Sequence, residues 1–519
     1  MRVAIIGGGV AGLSSLWTLN GYSDHEVHIY EKADWWGGHA HTVEFQQPGK
    51  EKCDIDTSTA ILQIAINSRN YPNFYKFLRD SSIDLIKTTM SFSLSRDKGA
   101  FEWASDDLWA LFCQSSNFFK PQIYRMMWDI FRFNLFATDF LSETGEAESM
   151  SIGEYLDREG YSKAFKEDYL LPLTAGIWSI PPEKVALDFP SMALIRFFHN
   201  HQMLQLWGKP DWLTVKGGSK TYVEQIIKQI DPSRLHLNVG VTHVKPVEGG
   251  VWITTEDGRR ELFDKVIIAT HTDQAVQLLG ENISPDERRL LGDCQWSANE
   301  AVVHYDEDLM PTRKRAWTAW NYLTSTVPVT PSHESKTTAS DVSAIAITFN
   351  LNILQSLPVW KHGQILVTLN PPVQPAASKT LSRWTYHHPE LTPALLRAQK
   401  ELPAIQGKRG IYFAGAWTGY GFHEDGWTAG MEIAYRPEFG LAEKPWEIMR
   451  VSGRGVQLGR IERNLRFVVG TVDWGVKSIL VWIMWTLDLY LSILRSVFGV
   501  ERDISVNVGK SASGKKEYF

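Results

Sequence analysis

Three glycines and one acid stand where a phosphate-bearing ligand would need them. Val3-Ala4-Ile5-Ile6 is apolar and reads as a buried strand; Gly7, Gly9 and Gly12 follow at the G-x-G-x-x-G spacing, and Leu13-Ser14-Ser15-Leu16-Trp17 continues with helical character. The glycines serve three different ends. Gly7 permits the tight turn, Gly9 lets a pyrophosphate reach the backbone, and Gly12 lets helix and strand pack closely. The helix start at Val10 and Ala11 offers unpaired N–H groups and the positive end of a dipole. A second apolar strand, Val27-His28-Ile29-Tyr30, ends in Glu31, about 20 residues beyond the glycines, where the ribose of an adenosine needs an acceptor. A glycine-rich turn alone has many uses. Strand, turn, helix and acid in this order point to a dinucleotide.

The residues after Glu31 narrow the choice. Lys32-Ala33-Asp34-Trp35-Trp36-Gly37-Gly38-His39-Ala40-His41-Thr42 resembles the E-x-x-x-x-x-G-G extension of the flavin amine-oxidase and phytoene-desaturase superfamily. There the paired glycines let the chain run beside the FAD pyrophosphate, and the next residue is commonly Arg; here it is His39. The resemblance implies FAD as the cofactor in place of NAD, with Lys32, Gly37, Gly38 and His39 in the binding stretch. It continues at Asp56-Thr57, which matches the segment passing under the isoalloxazine ring, although Ser58-Thr59 stand where relatives often have Gly-Phe. Val241 matches the adenine contact. Gly410 to Gly430 is similar to the C-terminal flavin motif, so Gly415, Gly426 and Trp427 become cofactor candidates. The form Gly421-Phe422-His423-Glu424-Asp425-Gly426, with Tyr71-Pro72-Asn73-Phe74 and Pro210-Asp211-Trp212 through Gly217-Gly218-Ser219, looks like a subgroup of predicted FAD/NAD-binding proteins associated with cyclopropane-fatty-acid synthases.

The resemblance carries an expected chemistry. FAD performs the difficult step, and the protein supplies orientation, dryness and electrostatics. The expected reaction is hydride transfer from an aliphatic, acyl-lipid type of substrate to the flavin. His423 and Glu424 are the titratable residues expected nearest the ring, as base or substrate orienter; the other reading makes them helix caps or cofactor contacts. Three alternatives stay open: a double-bond isomerase of unsaturated fatty acids, an amine oxidase with Tyr420, Trp417 and Trp427 in an aromatic cage, and a non-catalytic flavin-binding protein.

These residues need elements to hold them. The expected fold is α/β: a Rossmann-type FAD-binding domain from residues 1–58, 213–289 and 402–440, interleaved with a mixed sheet-and-helix substrate domain from 59–212 and 290–401. Pro72 near a first turn marks a helix start. Residues 101–212 read as mostly helical and aromatic, a cap over the substrate. Leu235 to Val244 alternates like one strand. Runs at 301–305, 344–349 and 365–369 read as a floor sheet. Residues 441–505 read as an amphipathic helical extension and 506–519 as a disordered tail.

Composition bounds the rest. The 519 residues are 44% hydrophobic and 22% charged, with net charge −6, which fits a globular core and asks for no nucleic acid. The 3 cysteines lie too far apart for a redox pair or zinc knuckle. His199 and His201 lack further ligands at metal spacing, so no metal site is expected. Cleavage at the N-terminal apolar run would destroy the glycine turn, so secretion is rejected. Near the C-terminus, Arg460, Arg463, Arg466 and Trp474 precede the apolar run Ile479 to Leu491, where Asp488, Ser492 and Arg495 form a narrow polar stripe. That pattern suits a helix lying in a membrane interface over residues 471–500, on the cytoplasmic side, or equally one docked on the enzyme's own surface; a single-pass anchor ranks third because Asp488 is costly in a bilayer.

Overall fold

The strand Arg2–Ile6 is the centre of a five-stranded parallel sheet in a computed structural model. Its neighbours are Lys265–Ile268 on one side and Glu26–Glu31 on the other, with Ile411–Phe413 and Leu235–Leu237 at the edges. Val3, Ala4, Ile5, Val27 and Ile29 are fully buried, as expected of parallel strands covered on both faces. The chain leaves the central strand toward one side of the sheet and later returns on the other. The topological switch point, where open α/β sheets bind ligands, therefore falls at the carboxyl end of Arg2–Ile6.

The structure describes residues 1–57, 65–145, 149–178, 189–205, 211–324, 346–371, 373–450 and 464–472, with 475 and 486. The chain divides into two units, residues 1–455 and 456–519. Four helices of the first matter for the site: α1 (Val10–Tyr22), α2 (Pro72–Asp80), α3 (Lys220–Ile227) and α4 (His423–Ala434). Helices α1 and α4 lie backbone to backbone because Gly426 and Gly430 share one face of α4. A Cβ on Gly426 would sit 2.5 Å from Val10 Cγ1, and one on Gly430 2.3 Å from the Ala11 carbonyl oxygen. Ser14 Oγ donates to the Trp427 carbonyl at 2.6 Å and Ser15 Oγ to that of Gly430 at 3.1 Å. The distant C-terminal motif is thereby fixed onto the glycine-turn helix.

A seven-stranded sheet runs in the order Thr380–Pro389, Trp296–His304, Leu366–Leu369, Ala346–Asn350, Trp320–Thr324, Phe92–Arg96, Phe101–Ala104. All its pairings are antiparallel except Trp320–Thr324 with Phe92–Arg96. It is larger than the floor sheet read from sequence, which lacks Thr380–Pro389, Trp320–Thr324 and the two strands at 92–104. Thr380–Pro389 is rich in polar and aromatic residues and half exposed in alternation, so no apolar run announces it.

Two expectations need correction. Leu235 to Val244 is two strands: Leu235–Leu237 joins the parallel sheet, Asn238 turns with φ 55°, and Val241–Val247 opens an antiparallel ribbon with Gly250–Thr255. Asn tolerates that left-handed conformation better than most residues. The extension beginning at 441 does not start as a helix. Residues 441–450 are irregular and dock on the start of α2: the Met449 N–H donates to Asn73 Oδ1 at 3.0 Å, and Asn73 Nδ2 donates to the Met449 carbonyl at 2.8 Å. Residues 58–59, 506–519 and most of 471–500 lie outside the described residues. In the second unit, 464–472 are helical, with Phe467 and Val468 exposed. No helix among the described residues is long and apolar enough to cross a membrane.

Candidate active site

The turn Gly7-Gly8-Gly9 separates what packs from what stays open. Gly7 has φ +107°, and a Cβ there would meet the Ala269 carbonyl oxygen at 2.6 Å; one on Gly12 would meet the Gly7 carbonyl oxygen at 2.0 Å. A Cβ on Gly9 meets nothing within 4 Å. Gly9 is the N-cap of α1, with no side-chain cap and no acid in the first turn. An uncapped helix start facing open space is built to receive an anion. The extension lies alongside: the Gly37 N–H donates to the Gly8 carbonyl at 2.9 Å, and a Cβ on Gly38 would stand 3.0 Å from Gly9 Cα.

Glu31 closes one end of this groove. Its carboxylate accepts from the Gly8 N–H at 2.7 Å and the Ala33 N–H at 2.8 Å, tying the glycine turn to the end of its strand. Lys32 is exposed and pairs with Glu256 at 3.2 Å. Glu256 donates its N–H to the Gly240 carbonyl, and the Val239 N–H donates to the Glu31 carbonyl. Glu31, Lys32 and the turn leading into Val241 therefore share one edge.

Asp56 and Thr57 face inward. Asp56 accepts from the Ser219 N–H at 2.9 Å, the Ser219 hydroxyl at 2.7 Å and the Thr42 hydroxyl, and so caps α3. Burial raises its pKa while those donors oppose the rise. The Thr57 hydroxyl lies 2.8 Å from the Tyr386 hydroxyl and 3.0 Å from the His41 carbonyl.

The C-terminal motif is engaged residue by residue. His423 Nε2 lies 2.7 Å from the Tyr222 hydroxyl of α3, and burial pushes its pKa down to about 3. Glu424 accepts from the Asn73 N–H at 3.0 Å, Asn73 Nδ2 at 2.8 Å and the Phe74 N–H at 2.9 Å. It therefore caps α2, not its own helix. Burial pushes its carboxyl up to about 8 against the pull of those donors. Asp425 accepts from the Tyr420 and Phe422 N–H groups at 3.0 Å each and holds the glycine-rich turn. Trp427 is fully buried and packs against Trp17 and Phe77 at 5.8 and 4.2 Å between ring centroids. Gly415 abuts Trp417, whose buried indole N–H has no hydrogen-bond partner.

Beyond Gly38 the groove meets a cluster of imidazoles. The ring of His39 stands 5.7 Å from His271, 5.5 Å from His388 and 5.1 Å from Tyr386. His271 follows Ala269, whose carbonyl packs on Gly7, and stacks on Trp296 at 3.9 Å. His388 Nδ1 lies 3.0 Å from Asn299 Nδ2. His39 is half-buried, and desolvation dominates its titration. Sequence reasoning missed Tyr386, His271 and His388; the period-two run Trp384-Tyr386-His388 was the available signal. Among the described residues no His/Cys/Asp/Glu group could hold a metal, and a polar cleft of about 900 Å3 beside Arg69, Arg79 and Asp84 takes none of these residues.

The open turn, the uncapped helix start and the unpartnered Trp417 N–H fit a flavin dinucleotide. The family model described as flavin containing amine oxidoreductase matches residues 10–318. The chain belongs to that family. FAD is its cofactor, and it is an FAD-dependent oxidoreductase acting on a small molecule. A comparison with curated proteins finds no match. Among solved structures, this flavoenzyme shares its fold with a CLA-producing fatty acid isomerase from P. acnes (14% identity, 83% of this chain and 97% of that one, TM-score 0.57), with putrescine oxidase bound to putrescine (13%, 84% and 98%, 0.57) and with cyclohexylamine oxidase from Brevibacterium oxydans (13%, 84% and 99%, 0.54). Bound FAD supplies the hydride-accepting centre. Gly9 and α1 would hold its phosphates, Glu31 its ribose, and Trp417 offers a donor at the far strand end.

Proposed function

We propose that this flavoenzyme removes a hydride from an aliphatic carbon of an apolar, acyl-chain substrate. The observation that carries the reading is where the acids point. An alkylammonium substrate needs a carboxylate or an aromatic face, because a desolvated ammonium without a partner is strongly disfavoured. Asp56, Glu424 and Asp425 all accept from the scaffold. Trp417 and Trp427, two members of the expected cage, are buried at 2% and 0% exposure. What gathers beside the strand ends is a set of rings, His39 with His271, Tyr386 and His388. The fold likeness to a fatty acid isomerase and the sequence resemblance to a subgroup associated with cyclopropane-fatty-acid synthases favour the same substrate class. The isomerase likeness also supports a second reading, in which the hydride returns to a neighbouring carbon.

The same reading makes the protein a peripheral enzyme at the cytoplasmic face of a membrane. Support comes from the basic, Trp-bearing sequence over 460–500 and from Leu108, Trp109 and Phe119, exposed at 69%, 72% and 87%.

Anaerobic mixing of the holoenzyme with unsaturated fatty acids, acyl lipids and alkylamines tests the function. Lasting flavin bleaching by a lipid is expected. Isomerised product without bleaching selects the second reading. Bleaching by amines alone, or by nothing, overturns both.

A further inference from the structure

The segments before and after α2 fold back over the same side of it. Ile66 and Leu213 exchange backbone hydrogen bonds at 2.8 Å each, which fixes Ser68 and Arg69 beside the strand Trp212–Val215. After α2, the Ser82 N–H donates to the Arg79 carbonyl at 3.1 Å and the Ile83 N–H to that of Leu78 at 2.9 Å, with Ser82 at φ 56°. The Lys216 N–H then donates to the Asp84 carbonyl at 3.0 Å, and Leu85–Thr88 pairs antiparallel with Trp212–Val215. The polar cleft of about 900 Å3 lies between these walls. Its more buried lining is apolar, from Ile83, Leu85 and Leu213. Its exposed lining includes Arg69, Arg79 and the hydroxyls of Ser68 and Ser82.

Two acids also line the cleft, and each has a lysine. Asp84 pairs with Lys216 and Asp211 with Lys87, both at 3.2 Å. Asp80, next to Arg79 in the chain, pairs with Lys76 at 2.8 Å. The arginines make neutral contacts instead: Arg69 Nη1 donates to Gln202 Oε1 at 2.9 Å, and Arg79 Nη1 to the Tyr75 hydroxyl at 3.2 Å. A guanidinium has five N–H donors in a planar fork that matches phosphate oxygens. Among the described residues that line the cleft or pair with its acids, four cations stand against two carboxylates. Two positive charges are left over, the complement of a phosphate monoester, which carries about −1.5 to −2 at pH 7. We propose that this cleft binds a phosphate monoester, with Arg69 and Arg79 on the phosphate oxygens and the two serine hydroxyls as further donors.

The cleft and the C-terminal motif lie on opposite faces of α2. Tyr75 and Arg79 line the cleft, while Phe74 and Phe77 pack on Trp427 at 5.4 and 4.2 Å between ring centroids. The two stretches that mark the subgroup resemblance also border it: Tyr71-Pro72-Asn73-Phe74 opens α2, and Asp211 belongs to Pro210-Asp211-Trp212. The proposal does not depend on which substrate the flavin oxidises.

The test is calorimetric titration of the holoenzyme with sn-glycerol 3-phosphate, beside flotation with phosphatidylcholine vesicles that contain or lack phosphatidic acid. We expect saturable binding, weakened at least about tenfold in Arg69→Gln/Arg79→Gln, with melting and flavin content unchanged. Arg259→Gln/Arg260→Gln removes the same charge from exposed ribbon positions and should leave binding within about twofold. Affinity should rise from about pH 5 to about pH 7 as the ester gains its second charge. Capture by phosphatidic acid vesicles that only the cleft variant loses supports the proposal and assigns the phosphate to a lipid head. Binding of the soluble ester without vesicle capture supports it and assigns a soluble ligand. Saturable binding of neither probe, equal weakening in both double variants, or succinate binding as tightly as the ester overturns it.

Discussion

The two ends of the candidate cofactor groove are built by different means. At the glycine-turn end one continuous stretch, Arg2 to Leu13, makes strand, turn and helix start, and the groups left facing open space at Gly9 are backbone. At the histidine end, His39, His271, Tyr386, His388 and His423 come from four separate segments, and the groups are side chains. A backbone site depends on local conformation, which glycine spacing encodes. A side-chain site depends on the register of sheets far apart in sequence. Tolerance to substitution should differ accordingly.

The largest effect belongs where backbone meets backbone. Gly12→Val places a side chain 2.0 Å from the Gly7 carbonyl, and neither atom can yield. We expect a loss of at least about 3 kcal/mol and a colourless, poorly folded product, read by thermal melting and flavin content. A well-folded yellow Gly12→Val would break the claim that packing fixes this turn. At the other end, Glu424→Gln replaces one accepting oxygen with an amide that confronts Asn73 or Phe74 N–H. We expect a loss of about 1–3 kcal/mol. Because the folded state raises this carboxyl from 4.5 to about 8, the fold holds that proton more tightly than the unfolded chain does. Stability should therefore fall as pH rises through that window, and the glutamine variant should flatten the slope.

Gly9→Ala sharpens the contrast within one turn. Gly9 has φ −72° and ψ 179°, which any residue adopts, and its Cβ would enter open space. The apo protein should be unchanged or stabilised by about 0.4–1 kcal/mol through the unfolded chain. FAD affinity should nevertheless drop about tenfold or more, because the methyl occupies the phosphate approach. Equilibrium dialysis beside a melting curve separates the two effects; undiminished affinity would move the phosphates elsewhere.

The strand, glycine turn and helix of the candidate phosphate half were legible because G-x-G-x-x-G, an apolar strand and Glu31 are local facts. Even there the sequence could not show that Glu31 grips Gly8 and Ala33, or that Lys32 turns to Glu256. The C-terminal motif was legible as a location and opaque as a role. Glu424 reads as a candidate base beside a histidine, but its partners, Asn73 and Phe74, lie about 350 positions away in the chain. No rule of spacing links Tyr71-Pro72-Asn73-Phe74 with His423-Glu424-Asp425; only helix packing does. The strand 380–389 escaped notice for a related reason. Its inward residues are Tyr and His, which serve a site and not a hydrophobic core.

The smallest expected effect decides whether His423 belongs to the chemistry or to the frame. Tyr222 and His423 are both buried, and their hydroxyl–Nε2 contact is 2.7 Å. Tyr222→Phe keeps the ring packing and removes that contact, leaving a buried ring nitrogen unpaired, at a cost of about 1 kcal/mol. His423→Gln alone should cost a similar amount, and the double variant less than the sum, a coupling of about 0.5–1 kcal/mol. If the contact only joins α3 to α4, Tyr222→Phe will leave the flavin spectrum and the pH profile of reduction unmoved. If instead His423 handles a substrate proton, removing the hydroxyl that positions it will shift that profile while stability changes little. A moved profile would turn a junction between two helices into part of the reacting centre, and the division drawn between the groove's two ends would have to be redrawn around it.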